Sequence, residues 1–296
     1  YPADCLDDDV VDPQPGDLLL TLDLSGELLV EAVQCGLLQE FRHAGVAAYA
    51  LVFDLLPVLM PEVFPPGSDV THARWLRAVS TLDGAVCISK AVADDLARWQ
   101  ASDAVHGVPG RHYHVSWFHL GADIEGSAPS IGMPDNAEMV LAQLGRSPSF
   151  LMVGTIEPRK GYLQVLEAFT ALWSEGIDVN LVIVGREGWI GLSDETRRDI
   201  PETIALLRQH PELNNHLFWL HGISDEYLEH IYAACTCLIA ASYGEGFGLP
   251  LIEAARHGLP MLARDIPVFR EVAGDHATYF DTVVGLGGIF NPIAYR

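Results

Sequence analysis

The sequence is short of positive charge. Its 296 residues hold 17 Lys and Arg against 40 Asp and Glu, a formal net charge of -23. That balance argues against a nucleic-acid binder and against a basic patch on an anionic membrane. Only Lys90 and Lys160 are lysines, so an anionic ligand must rely on a few placed cations or on helix N-termini. No apolar run approaches the ~20 residues of a membrane-spanning helix. The five cysteines, Cys5, Cys35, Cys87, Cys235 and Cys237, are odd in number and form no CxxC pair. They read as free thiols in a reducing, cytoplasmic compartment rather than as a disulfide framework. A Walker loop and a Gly-x-Gly-x-x-Gly fingerprint are also missing, which disfavours P-loop and dinucleotide-binding enzymes. No secretory signal is visible. The chain opens on Tyr1 rather than Met, so part of its natural beginning is expected to lie outside it.

What is present is a chain that can bury a large core: 49% of residues are hydrophobic and 19% charged, which excludes intrinsic disorder. The length fits two ordinary domains. Short apolar runs at 17–22, 46–53, 84–88 and 113–118 alternate with helical patterns. They continue at 150–154, 179–184, 217–220, 236–241, 259–263 and 277–280. Continuous apolar strands separated by helices predict parallel sheets covered on both faces. Helices are expected at 26–42, 69–82, 89–101, 161–175, 196–209, 225–235, 250–257 and 267–273. A Gly-, Pro- and Ser-rich break lies near 125–149. It divides a four-stranded first domain, 1–147, from a six-stranded doubly wound domain, 148–281. A tail, 282–296, shows no helical pattern. The first domain opens on an acidic, turn-rich stretch instead of a strand with a glycine loop, so it is expected to lack its first βα units.

Two strand-to-helix loops carry the chemistry. Gly154-Thr155-Ile156-Glu157-Pro158-Arg159-Lys160-Gly161 sets two cations at a helix start, where strand C-termini of open α/β sheets bind ligands. Arg offers a planar fork and Lys a point charge, a combination suited to a pyrophosphate. The bland alternative is a solvated pair, although cations at that end oppose the helix dipole. The second loop runs from Ser242 through Gly244, Glu245, Gly246, Phe247, Gly248 and Leu249 to Pro250 and Glu253. Its glycines allow backbone amides to approach a ligand closely, and Pro250 fits a first helical turn. A glycine-rich turn with two surface glutamates is the competing reading. Asp54 ends the strand at 46–53 and begins a proline-bounded loop. It either orients a hydroxyl or makes a turn through its side chain. Ser89 reads as a helix cap. His112 and His114 lack further metal ligands, Asp7-Asp8-Asp9 lacks calcium-loop spacing, and no metal site is expected.

The stretches VGTIEPRKG (153–161), LVIVGREGW (181–189), HGISDEYLEHIY (221–232) to EGFGLPLIEA (245–254), and RDIPVFREVAG (264–274) occur in one order. Together they make residues 150–281 resemble the nucleotide-sugar-binding domain of glycosyltransferase family 4, retaining enzymes of the GT-B fold. LVFDLLPVLMPEVF (51–64), CISKAVADDL (87–96) and HLGAD (119–123) resemble that family's acceptor domain. Within the family the likeness is to bacterial mannosyltransferases of O-antigen and exopolysaccharide assembly. The resemblance implies an α/β protein of two Rossmann-like doubly wound domains facing a cleft, the N-terminal one incomplete. It implies a retaining, metal-independent hexosyltransferase that moves mannose from GDP-mannose, needs no cofactor, and works on a saccharide or lipid-linked saccharide. It also implies cytoplasmic work in cell-surface polysaccharide synthesis, with peripheral contact to the inner membrane. Arg159 and Lys160 would then contact the donor diphosphate and Glu253 the ribose. Glu245 would hold hydroxyls of the transferred sugar, with amides of Phe247, Gly248 and Leu249 on sugar and phosphate. Gly222 and Ile223 would lie beside the base, with Arg186 near the nucleotide. Asp54 stands where many family members place a histidine. Two other readings share the architecture: a nucleotide-sugar 2-epimerase or sugar phosphorylase, and a non-catalytic nucleotide-sugar-binding fragment.

Overall fold

The computed structural model describes residues 12–22, 26–102, 112–121 and 128–281. The acidic opening with Cys5 and Asp7-Asp8-Asp9, and the tail 282–296, lie outside the described residues. The chain separates into two units. The first comprises Tyr1–Leu55, Val70–Ile88 and Val92–Phe118; the second comprises Leu56–Asp69, Ser89–Ala91 and His119–Arg296.

The strands of the first unit are β1 (Leu18–Thr21), β2 (Ala47–Val52), β3 (Gly84–Cys87) and β4 (His114–Trp117). They form one all-parallel sheet in the order β1-β2-β3-β4. Its register sets Leu18 beside Ala47, Tyr49 beside Gly84, and Gly84 beside His114. Gly84 is required here, because a Cβ on it would lie 2.2 Å from the His114 carbonyl oxygen. The helices α1 (Gly26–Gln34), α2 (Leu37–His43), α3 (Leu56–Leu59), α4 (Ser68–Val79) and α5 (Lys90–Ser102) follow in chain order. The single helix expected at 26–42 is two helices. Gly36, at φ 84°, takes a left-handed conformation that ends one and starts the other. Helix α3 has no counterpart among the expected helices; its four residues, Leu-Pro-Val-Leu, are too few to show a period.

The second unit holds β5 (Ser149–Val153), β6 (Asn180–Val184), β7 (Leu217–Leu220), β8 (Cys237–Ala240), β9 (Met261–Arg264) and β10 (Ala277–Phe280). Helices α6 (Ala137–Leu144), α7 (Tyr162–Ser174), α8 (Ile200–Gln209), α9 (Asp225–Ala234), α10 (Leu249–Arg256) and α11 (Pro267–Ala273) accompany them. The sheet is all-parallel in the order β10-β9-β8-β5-β6-β7. Alternate strand residues enter separate cores, as a two-sided sheet requires. Met152, Leu181 and Ile183 pack with Val165, Phe169 and Leu207 of α7 and α8 on one face. Leu151, Val182 and Val184 pack with Tyr227, Ile231 and Leu251 of α9 and α10 on the other. Helix α7 reaches its core through Tyr162, Val165, Leu166, Phe169 and Leu172, the spacing of an amphipathic helix. Among the described residues Cys87, Cys235 and Cys237 are buried free thiols, and burial pushes each of them up to about 12. Also among the described residues, no helix is long and apolar enough to cross a membrane.

Candidate functional site

The strand order locates the site. From β5 the chain winds outward to β6 and β7, then returns to lay β8 on the other side of β5. At such a switch point the connections leave in opposite directions and open a crevice beyond the strand C-termini. The loops after β5 and β8 are the two cation- and glycine-bearing loops.

They are fastened together by backbone. The Tyr243 N–H donates to the Arg159 carbonyl at 2.8 Å. Gly161, at φ 73°, backs onto the Ala241 carbonyl so closely that a Cβ would lie 2.5 Å from its oxygen. Tyr162, fully buried at the start of α7, donates its hydroxyl to the Gly154 carbonyl at 2.5 Å. Burial pushes that phenol far above its ordinary range. Both loop ends are therefore held before any charged side chain is considered.

On this frame Arg159, Lys160 and Glu245 converge. The Lys160 Nζ donates to Glu245 Oε1 at 2.5 Å and an Arg159 terminal nitrogen to Oε2 at 2.7 Å. The Ser242 hydroxyl adds a 2.7 Å bond to Oε1, and Arg159 Nε donates to Glu157 Oε2 at 2.9 Å. Their side chains are only 11–16% exposed. Burial raises the Glu245 carboxyl, but Lys160 and Arg159 outweigh it and hold it below its ordinary value. The unfavourable placement of two cations at a helix start is thus offset by two carboxylates. Lys160, Glu245 and Ser242 line a small cavity of about 20 Å³ with Met152, Tyr162 and Phe269.

The N-terminus of α10 adjoins this cluster. Gly248 caps it at φ 96°, and a Cβ there would meet the Phe269 ring at 2.8 Å. Gly248 is its N-cap and Leu249 its first residue, so the amides of Gly248 and Leu249 stand at the helix start, where amides lack intrahelical acceptors, and Phe247 precedes the cap. The Phe247 side chain is buried, its ring 5.6 Å from that of His119. Glu253 lies further along α10, where it accepts the Tyr232 hydroxyl at 2.5 Å. It lines a separate cavity of about 420 Å³ with Ile131, Glu226, Leu228 and Arg256. The two glutamates therefore face different spaces.

The remaining expected residues are placed as follows. Gly222, at φ 67°, is exposed in the turn between β7 and α9, and Ile223 is half-buried beside it. The Arg186 side chain is exposed, and its carbonyl accepts the Ile156 N–H at 2.9 Å. Asp54 belongs to the first unit, where its carbonyl lies 3.1 Å from His72 Nε2. Burial lowers the His72 pKa against the opposing pull of Asp54. Ser89 is fully buried and donates its hydroxyl to the Gly246 carbonyl at 2.8 Å. The amides of Lys90 and Ala91 are taken by the Glu271 carboxylate at 2.6 and 2.7 Å, which His119 Nε2 also meets at 2.7 Å. Glu157, Ser242 and Glu271 fall inside stretches singled out in the sequence but carry no role there. For the first two the signal is proximity: each lies within three residues of a charged site residue. Among the described residues no group of three His, Cys, Asp or Glu is arranged to hold a metal.

Residues 140–282 match the family described as glycosyl transferases group 1. Over 265 residues, 89% of this chain, the sequence is 46% identical to the serotype-specific mannosyltransferase WbdA of Escherichia coli, of which that stretch is 31%. It is 31% identical over 213 residues to the phosphatidyl-myo-inositol mannosyltransferase of Mycobacterium leprae, 66% of this chain and 48% of that one. Among solved structures, a sucrose-phosphate synthase from Thermosynechococcus elongatus aligns with a TM-score of 0.67 at 20% identity, over 94% of this chain and 64% of that one. Anabaena HepE in complex with UDP-glucose gives 0.62 at 16% identity, over 93% and 69%. At these identities the structures establish the fold: α/β, of the GT-B kind. The chain spans about a third of the length of the WbdA relatives it matches.

Proposed function

We propose, from the match of residues 140–282 to the family described as glycosyl transferases group 1, that this chain transfers a hexose from a nucleoside-diphosphate sugar to a saccharide or lipid-linked saccharide. The observation that carries the reading is the convergence of Arg159, Lys160 and Glu245 at the sheet's switch point. The donor's diphosphate takes the two cations together with the first amides of α10. As the bond to the sugar breaks, negative charge grows on that diphosphate, and pre-placed donors stabilise it most at that moment. Cations and amides suffice for this, so the reaction proceeds without a metal. Glu245 holds hydroxyls of the transferred sugar and offsets the positive charge that develops on it. Glu253 takes the ribose hydroxyls, Gly222 and Ile223 flank the base, and Arg186 approaches the nucleotide. Asp54 orients a hydroxyl of donor or acceptor.

The transfer retains configuration. The leaving phosphate oxygen removes the acceptor's proton on the face from which it departs. Residues 1–147 serve the acceptor and 148–281 the donor. Mannose from GDP-mannose is the favoured donor, because relatives at 46% and 31% identity are named mannosyltransferases. The setting is cell-surface polysaccharide synthesis in the cytoplasm, at the inner face of the membrane. A thermal-shift screen of GDP, UDP, ADP and their sugars, followed by turnover with the best donor, tests the reading. GDP and GDP-mannose should stabilise the chain and GDP release should require an acceptor. Absence of any shift with all of them contradicts it.

A further inference from the structure

Behind the two site loops lies a buried cation that the proposed chemistry leaves unused. Arg264, the last residue of β9, is only 6% exposed. Its Nε donates to the Ala241 carbonyl at 2.9 Å and a terminal nitrogen to the Asp281 carbonyl at 3.1 Å. The other terminal nitrogen donates to Gln164 Oε1. Each of these three acceptors is a neutral oxygen. Burial lowers the pKa of the guanidinium, against weaker opposing pulls from Tyr243 and Asp281. A cation buried on neutral oxygens is costly, and an apolar residue of similar size would fill the space at lower cost. A placement of this kind calls for a task that an apolar residue cannot perform.

The contacts identify the task. The guanidinium lies under the Tyr243 ring, 4.0 Å from its centroid. The Tyr243 hydroxyl donates to the same Gln164 oxygen at 3.0 Å, and Gln164 is itself buried in the first turn of α7. The Tyr243 N–H bonds to the Arg159 carbonyl. The Ala241 carbonyl that accepts from Arg264 is the one against which Gly161 rests. One planar fork thus grips the end of β8, the start of α7 and Tyr243, which follows Ser242 in the loop to Glu245. Lysine has neither the fork nor the stacking face.

We infer that Arg264 is a positioning residue: through Tyr243, whose N–H bonds to the Arg159 carbonyl, and through the Ala241 carbonyl against which Gly161 rests, it sets the loop that places Arg159 and Lys160. The inference rests on the nucleoside-diphosphate reading above. Calorimetric titration of GDP into the full chain and its variants tests it, with melting temperature measured alongside. Arg264→Lys should weaken GDP binding about 5-fold or more, because small displacements of positioned groups are costly, while the chain remains folded. Tyr243→Phe keeps the ring and loses only the hydroxyl's contacts with Gln164 and Arg264, so it tests the same link if Arg264→Lys does not fold. It should weaken GDP binding about 2-fold or more, the effect of one neutral hydrogen bond. Combined with Lys160→Ala, Arg264→Lys should lose less than the product of the two separate losses, because both act on one site. GDP affinity unchanged in both Arg264→Lys and Tyr243→Phe, or fully multiplicative losses, overturns the inference. Absence of GDP binding by the unaltered chain overturns the nucleoside-diphosphate reading and this inference with it.

Discussion

Glu245 holds two cations at once, and this makes its substitution informative. Glu245→Gln removes the carboxylate that neutralises Lys160 and Arg159, so affinity for a free nucleoside diphosphate should hold or rise. Turnover should fall, because the contact with the transferred sugar is lost. Titration of GDP beside a turnover assay checks both halves; a loss of GDP affinity contradicts the assignment. The same carboxylate dictates a pH dependence. Held below its unfolded value of 4.5, it binds its proton more weakly folded than unfolded. Its contribution to stability is complete above pH 4.5 and is lost as acid titrates the folded group. The stability gap between the unaltered chain and Glu245→Gln should therefore narrow as pH falls below 4.5 in denaturant titrations. A gap that widens in acid contradicts the pairing. At this scale Arg159 and Lys160 were legible in the sequence, because a lysine-poor chain set them at a helix start against the dipole. Their bonding to Glu245, 85 residues away, was not legible, since it depends on β8 returning beside β5.

Among the elements, the connection into α7 is the most constrained. Gly161 combines a left-handed φ of 73° with a Cβ position 2.5 Å from the Ala241 oxygen. Gly161→Ala should cost about 1–3 kcal/mol from backbone strain, plus the displacement of the loop before Ser242. Urea unfolding should show the loss, and GDP binding should weaken with it. A variant as stable as the parent would mean that the loops are not in contact. The ten strands among the described residues were readable because each is a short apolar run bounded by turn residues. The break at Gly36 was not, because glycine in a helical pattern is tolerated as often as it ends one. Residues 56–69 and 89–91 group with the second unit rather than with their sequence neighbours. Chain order alone carries no sign of it, because contacts such as those of Leu56 and Met60 against Gly244 decide it.

For the molecule as a whole, charge poses the central question. The net charge of -23 repels a nucleoside diphosphate at long range, and the cluster of Arg159, Lys160, Glu157 and Glu245 sums to zero. Binding should therefore depend on short-range hydrogen bonds rather than on a positive field, and added salt should screen the repulsion. GDP affinity should hold or improve between low and physiological ionic strength; a steep decline would reveal a basic site elsewhere. The central claim is that Lys160 is one of the diphosphate's ligands. The measurement that tests it most directly is calorimetric titration of GDP into the unaltered chain and into Lys160→Ala. A charged hydrogen bond is worth ~1.5–3 kcal/mol, so the variant should bind GDP about 10- to 150-fold more weakly. Equal affinity in the two proteins would place the diphosphate elsewhere and contradict the account.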